Sequence, residues 1–465
     1  MPAAALCLLA GWMVTAQETP EPESPSPLRP AVEIEEDVYT YEPMDNGSGP
    51  LWCSGSTCLV RIGAAVFASG VARVDDAQPL NNCRWTLFRR AGDGWELLHQ
   101  GDGRTREPSP IAGVADGRLF LSANPTLVDD PTRYSGPARP TVFQFAAADP
   151  TKVPVALQPQ WEGAPTFTEH SYRSFAADAG RGELILFQNI GYGHAEWSLF
   201  DRTGRWRSRG KLAWPWGAEY DRPQPIRICY PNVALRDGAV YFCGVSDITE
   251  PYERWRQAKK RITGRDWDYD FRRLFFTYCD DIATGKFHDW VEIASRDKTC
   301  GWISPGDLWV DSQRRVHVVW SERAIDTRLR DEFFPDAKQS HALNYAVLHK
   351  GEVVARRSLH MAAEGESGEI PARGRFQVTP EGRLFAFCYF SGTDADGASV
   401  SENRVMEIRP DGDTSAWVRV PLEHPLTDYF TATVRGGSPP SRTLEMLGHR
   451  VGHPLTLSYA RIRLW

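Results

Sequence analysis

The sequence predicts an all-β fold: a single seven-bladed β-propeller of antiparallel meander blades, carrying two short helical insertions. Three observations predict it. One phrase recurs along the chain, made of a short apolar strand, a turn holding Asp-Gly or a substitute, and a second, strongly apolar strand. The composition is aromatic and turn-rich, with 17 Trp, 15 Tyr, 39 Gly and 34 Pro against 24% charged residues, as in all-β chains. The phrase also runs from residue 51 to Trp465 with no Pro/Gly-rich linker between copies, so one ring accounts for it better than two sandwiches or two smaller domains. A length of 465 residues is compatible with one unit, since propellers and barrels routinely exceed the usual domain size.

Residues 1–16, MPAAALCLLAGWMVTA, are apolar and end in Val14-Thr15-Ala16, a small-residue pattern suited to signal-peptidase cleavage before Gln17. Their leading region lacks the usual Lys or Arg, and no lipobox precedes Cys7. This reads as an export signal, giving a secreted or periplasmic protein. Residues 17–45 are rich in Pro, Glu and Ser, too poor in apolar surface to fold alone, and are expected to form an unpacked linker. No later stretch reaches the length of an apolar membrane span.

Residues 46–465 are expected to form the ring. Its clearest copies are SPIAGVADGRLFLSAN from Ser109, SYRSFAADAGRGELILFQN from Ser171, YPNVALRDGAVYFCG from Tyr230, SPGDLWVDSQRRVHVVWSE from Ser304 and GRFQVTPEGRLFAFCYF from Gly374. A third strand follows each after a loop, for example TVFQFAA from Thr141, RLFFTYCD from Arg273 and VMEIRP from Val405. Strand, turn, strand, loop, strand is the way a propeller blade is written. Degenerate copies, CLVRIGAAVFASG with CRWTLFRR near the start and TATVRGGSPPSRTLEMLGH with LSYARIRLW at the end, bring the number to seven. The last strand reaches Trp465, so closure is expected to pair the C-terminal segment with a blade begun near the N-terminus. Two charged, helix-forming insertions, 248–271 and 323–342, interrupt the repeat. Insertions in repeat proteins tend to gather on the binding face.

The formal charge of -7 carries no basic footprint for nucleic acid, which excludes that partner; a monomer is expected. Eight cysteines follow the leader: Cys53, Cys58, Cys83, Cys229, Cys243, Cys279, Cys300 and Cys388. Export permits disulfides, with Cys53, Cys58 and Cys83 the nearest cluster. Most of the others sit in apolar strand-like runs, where free Cys acts as a small core hydrophobe. No Cys-x-x-Cys zinc spacing occurs; no cofactor is implied, and a structural metal ion is left open.

Residues that open the innermost strand of a blade, and those that close the next strand, point to the same end of the channel. The openers are Arg106 and Glu107, His170, Arg227 and Tyr230, Trp302, and Arg373. The closers and their loops supply Asn124, Asn189, His194, Asp247, Glu322 and Arg323. This set holds more titratable groups than a solvated rim requires.

The stretch HSYRSFAADAGRGELILFQNIGYGHAEW, with His170 and His194 bracketing one blade, and the following CYPNVALRDGAVYF with Tyr230 resemble the BNR-repeat, sialidase-like propellers that include ulvan lyases. The resemblance covers about 80 residues closely and the rest only as a propeller. It implies a polysaccharide or oligosaccharide substrate containing uronic acid, cleaved by β-elimination. Tyr230 and His170 would transfer the protons, and His194 would position substrate. One departure stands out: where those lyases place an Arg that pairs with the substrate carboxylate, this chain has Cys243, Gly244 and Val245. Arg227, or Arg254 and Arg256 in the insertion, are the replacements, since each offers a planar fork matched to a carboxylate. Arg106, Glu107, Glu322 and Arg323 complete the expected substrate-binding set.

Two other readings belong to different classes. A sialidase-like glycoside hydrolase would use paired carboxylates, such as Glu107 and Glu322, or a Tyr nucleophile; the intact S-x-D-x-G-x-x-W box is absent. A binding-only propeller would stack sugars on Trp197, Trp206, Trp214, Trp216, Trp255 or Trp267.

Overall fold

The computed structural model describes residues 27–366 and 368–465. The expected export signal and the first part of the expected linker lie outside the described residues. Seven antiparallel sheets, six of four strands and one of five, follow one another along the chain. Blade 1 holds Leu59–Ile62, Ala65–Arg73, Cys83–Ala91 and Gly94–Gln100; blade 2 holds Ile111–Gly113, Arg118–Ala123, Thr141–Ala146 and Val155–Leu157. Blade 3 is built from Ser174–Asp178, Glu183–Ile190, His194–Phe200 and Trp206–Ala213, and blade 4 from Ile228–Arg236, Ala239–Ser246, Arg273–Cys279 and Val291–Ser295. Blade 5 comprises Trp302–Val310, Val316–Arg323, Ser340–His349 and Glu352–Ala363; blade 6 comprises Arg375–Val378, Leu384–Thr393, Ser399–Ile408 and Val418–Arg419, with a short Ile370–Pro371 strand also pairing in it. Blade 7 holds Leu426–Thr431, Thr443–Arg450 and His453–Arg463. The first strands of the blades contact one another in an unbroken cycle, blade 7 meeting blade 1. The protein is an all-β, seven-bladed propeller.

Ring closure corrects the expected linker. Ala31–Thr40 is a ten-residue strand that runs antiparallel to His453–Arg463, from Ala31 opposite Arg463 to Thr40 opposite Thr456. Overall composition hid it. Val32, Ile34, Val38 and Tyr39 give the segment an apolar side that packs on the cores under blade 7 and blade 1. The outermost strand of the C-terminal blade is therefore N-terminal, and the ring begins at residue 31.

Turn chemistry matches the recurrent phrase where Asp-Gly occupies a two-residue loop. Arg236 pairs with Ala239, and between them Asp237 and Gly238 both take positive φ, 49° and 78°, the hand that suits the twist of a hairpin. The core lies between adjacent blades. Phe187, Trp197 and Ile185 of blade 3 pack on Ile228, Val240 and Phe242 of blade 4, whose Phe276 and Tyr241 meet Val318 and Trp320 of blade 5. All eight described cysteines are free and buried, so the cluster of Cys53, Cys58 and Cys83 forms no disulfide. Among the described residues no helix is long and apolar enough to cross a membrane.

Both insertions hold helix, Glu253–Thr263 in the first and Arg330–Phe333 in the second. They pack on each other through Trp255, Ala258, Leu329 and Phe334, with Cys300 beneath. Within the first, Glu250 takes Lys259 of the helix at 2.7 Å, and the same carboxylate takes Arg272, just before the third strand of blade 4, at 2.8 Å.

Candidate functional site

The openers of successive blades do meet at one end of the ring, and a segment absent from the sequence expectation backs them. Residues 52–57 cross the channel. The Ser54 carbonyl accepts from Arg375 Nη1 at 3.0 Å, the Gly55 carbonyl from Arg435 Nη1 at 2.5 Å, and Thr57 Oγ1 donates to the Thr431 carbonyl at 2.9 Å. Gly55 lies so close to blade 4 that a Cβ there would stand 2.4 Å from the carbonyl oxygens of Tyr230 and Pro231. This plug carries Trp52 into the site.

Four rings form the centre. Trp52 stacks on Tyr172 at 4.8 Å and lies 5.3 Å from His170 and 5.7 Å from Tyr230; Tyr172 meets His170 at 4.5 Å and Tyr230 edge-on at 5.2 Å. Tyr172 and Tyr230 both sit in left-handed backbone, with φ of 44° and 49°. For Tyr230 the cause is a bulge in the pairing of the two inner strands of blade 4, between Cys229 and Asn232. Such conformations cost about 1–3 kcal/mol each and collect at functional sites. Here they turn two phenols toward one another.

His170 is held from two sides. Arg106 Nη1, which can only donate, lies 2.9 Å from Nδ1, and Glu107 Oε1 lies 3.5 Å from the same nitrogen. Nδ1 is therefore the acceptor, and the proton of the neutral ring sits on Nε2. Burial, joined by the charges of Arg106 and Arg227, lowers the imidazole pKa to about 3. Burial also pushes the Tyr230 phenol far above its ordinary range, helped by the nearby Asp247 carboxylate. Both groups are neutral proton holders in the free protein.

Glu107, expected at the substrate, is fully buried. Its Oε1 accepts from the backbone N–H groups of Ser171 at 2.6 Å and Tyr172 at 3.2 Å, and Oε2 faces Arg173 at 3.5 Å. It shapes the His170–Tyr172 turn rather than facing solvent. Arg227 is equally withdrawn. Its side chain is 6% exposed, Nη2 donates to Asp247 Oδ2 at 2.7 Å, Nε donates to the Asp247 carbonyl at 3.0 Å, and Cys229 donates to the same carboxylate. The rings of Tyr192 and Tyr269 cover it at 3.9 and 5.9 Å, and their hydroxyls hydrogen-bond each other. An arginine so paired and roofed is no open clamp.

The structure brings together Arg106, Glu107, His170, Arg227 and Tyr230. His194 lies apart: its Nε2 is 3.0 Å from Glu196 Oε1, and none of its hydrogen bonds reaches the aromatic centre. Glu322 is ion-paired to Arg296 and accepts from Trp320 Nε1 at 3.3 Å, out on blade 5. In the first insertion Arg254 lies over Trp255, and neither it nor Arg256 lines the central cavity; of the residues brought together only Tyr230 does, while His170 and Arg106 stand beside it against Trp52, at 5.3 and 5.7 Å from that ring. Tyr230, Trp52, Phe271, Trp302, Arg373 and Asp428 line that cavity, whose volume is about 620 Å³. Arg373 binds Asp428 at 3.2 Å and Ser304 Oγ at 3.2 Å. Sequence reasoning missed Trp52, Tyr172, Tyr192, Tyr269 and Phe271. Only Tyr172 carried a signal, two residues beyond His170 in an opener. Of the proposed sugar-stacking residues, Trp197, Trp206, Trp214 and Trp255 are buried, whereas Trp216 and Trp267 are exposed.

Among the described residues no group of three or more His, Cys, Asp or Glu is arranged to hold a metal ion.

No protein-family model and no curated protein matches the chain. Solved structures do. An ulvan lyase bound to -[GlcA(1-4)Rha3S]- has 10% identity and a TM-score of 0.49, over 92% of this chain and 95% of that one. A second polysaccharide lyase has 11% identity and a TM-score of 0.48, over 93% of each chain. An α-L-arabinanase of Penicillium chrysogenum complexed with arabinobiose has 12% identity and a TM-score of 0.43, over 94% of this chain and 99% of that one. At these identities the likeness says nothing of individual site residues.

Proposed function

We propose that the protein cleaves a uronic-acid-containing polysaccharide by β-elimination in the cavity over Tyr230. One observation carries the reading: two proton-bearing side chains, His170 and Tyr230, share an aromatic cluster in which Tyr172 and Tyr230 lie on strained backbone, with Arg106 bonded to the histidine. Elimination needs a cation or donors for the carboxylate, a base for the C5 proton and an acid for the departing O4 oxygen. Flat apolar rings supply surface for sugar faces, and Tyr and His are suited to proton transfer when their surroundings tune them.

The carboxylate clamp is not the one expected of the sequence. Arg227 is committed to Asp247, so Arg106 takes the substrate carboxylate. When its Nη1 turns to that carboxylate, Nδ1 of His170 loses a donor and faces Glu107 Oε1. The imidazole then favours the tautomer with the proton on Nδ1, and Nε2 becomes the base. Nε2 takes the C5 proton, the C–H electron pair forms the C4–C5 double bond, and the C4–O4 bond breaks. Tyr230 gives its phenolic proton to O4. The products are an unsaturated uronate and a sugar with a new reducing end, and solvent returns the protons. The leader read in residues 1–16 fits a substrate that lies outside the cell.

The paired-carboxylate hydrolase loses support, because Glu107 is enclosed by backbone amides and Glu322 stands on another blade with its own arginine. The test is incubation of the purified protein with a panel of uronic-acid polysaccharides and with aryl glycosides. Elimination gives unsaturated-product absorbance in the first set. Aglycone release without that absorbance selects hydrolysis, and binding without either product selects a platform.

A further inference from the structure

The cavity over Tyr230 does not end at Trp302. That side chain, 41% exposed, also lines a second hollow of about 370 Å³ with Ser304, Glu322, Arg323 and His341. It borders a third of about 380 Å³ with Phe271 and Arg323. Blade 5 sets the row by strand register: Trp302 is opposite Arg323, and Arg323 is opposite His341. Directly opposed residues share one face of a sheet. With strands about 4.8 Å apart, Trp, Arg and His extend about 10 Å outward from the axial cavity.

Arg323 is the exception among the arginines of these hollows. Arg272 is paired to Glu250, Arg328 to Asp326 and Asp268, and neighbouring Arg296 to Glu322. Arg323 makes no ion pair and no side-chain hydrogen bond among the described residues, and its buried Nε has no acceptor. A guanidinium that gives up hydration without an internal partner is a natural anion receptor. His341 beside it is held toward the neutral form, by burial and then by the charge of Arg323. It can therefore donate or accept without adding charge.

We propose that Trp302, Arg323 and His341 form a second sugar subsite, which stacks one residue of the polymer on Trp302 and binds the carboxylate of another acidic sugar at Arg323. The inference rests on the reading of the Tyr230 cavity as a sugar site. It adds that the substrate is acidic at more than one residue and is gripped along the radius of blade 5.

The test is calorimetric binding of β-1,4-linked glucuronate oligomers of two and four residues, in a Tyr230→Phe background that slows turnover. Arg323→Gln is expected to weaken the tetramer about tenfold or more and to flatten its salt dependence, so that the tetramer loses its advantage over the dimer. Trp302→Ala is expected to do the same without changing the salt dependence. Unchanged melting temperatures show that both variants fold, as expected of partly exposed side chains. Tetramer binding unaffected by Arg323→Gln overturns the subsite and leaves the elimination reading standing. Failure of the Tyr230→Phe parent to bind either oligomer overturns both.

Discussion

Replacing Asp247 with Ala separates a structural arginine from a substrate clamp. The carboxylate is 1% exposed, lies 2.7 Å from Arg227 Nη2 and also accepts from the Cys229 thiol. Its removal leaves a guanidinium that is 6% exposed with one backbone carbonyl and three tyrosine rings for company. Breaking such a buried pair from one side costs about 3–5 kcal/mol, because the remaining charge stays desolvated. The Arg89–Glu96 pair is the control: its members are 30% and 49% exposed, and Glu96→Ala should cost no more than about 1 kcal/mol. Urea denaturation of both variants gives the comparison, and an Arg227→Met, Asp247→Ala double variant should recover part of the loss. If Asp247→Ala stays within about 1 kcal/mol of the parent, Arg227 is solvated enough to meet a substrate carboxylate, and the assignment of that role to Arg106 fails.

Gly55→Ala should destabilise the protein by about 1–3 kcal/mol and lower affinity for sugar, because the new Cβ meets the Tyr230 and Pro231 carbonyls and displaces the segment that carries Trp52. A fully stable variant with parental binding would refute the plug. His170 has a folded pKa of about 3, below its ordinary value. The stability this group contributes is full above pH of about 6.5 and is lost as pH falls toward the folded value. His170→Gln should therefore lose stability less steeply over that interval than the parent, and the parent's rate should show no acid limb from His170 near pH 6.5. Asp270 shifts the opposite way, to about 6, chiefly through burial. Its contribution is greatest at low pH and is lost as pH rises through about 6. Thermal melts should show parental stability falling relative to Asp270→Asn across that range, and parallel curves would contradict the assignment.

The ring was legible because its signal is repeated. Each blade restates apolar strand, turn and apolar strand, so a weak copy such as the one from Thr431 could be placed by its neighbours. Ala31–Thr40 escaped because it has no copy beside it; its apolar alternation is diluted by the Pro and Glu residues that precede it. At the site, the opener rule brought His170, Arg106, Arg227 and Tyr230 to one end, since direction along a strand follows from topology. The rule is silent on depth. Whether Glu107 faces solvent or the 171–172 amides depends on side-chain packing, and whether Arg227 is free depends on Asp247, which arrives from the far end of the next strand. Trp52 was invisible for a stronger reason: it reaches the cluster on a segment crossing the channel, which no repeat describes.

Turnover of Tyr230→Phe on the polysaccharide identified by the panel tests the central claim most directly. Phe keeps the ring contacts with Trp52, Tyr172 and Phe271 and removes only the hydroxyl, so stability should change by no more than about 1 kcal/mol. If that hydroxyl protonates the departing oxygen, the rate of unsaturated-product formation should fall about 10²-fold or more, with binding retained. Near-normal turnover of a correctly folded Tyr230→Phe protein would contradict the account.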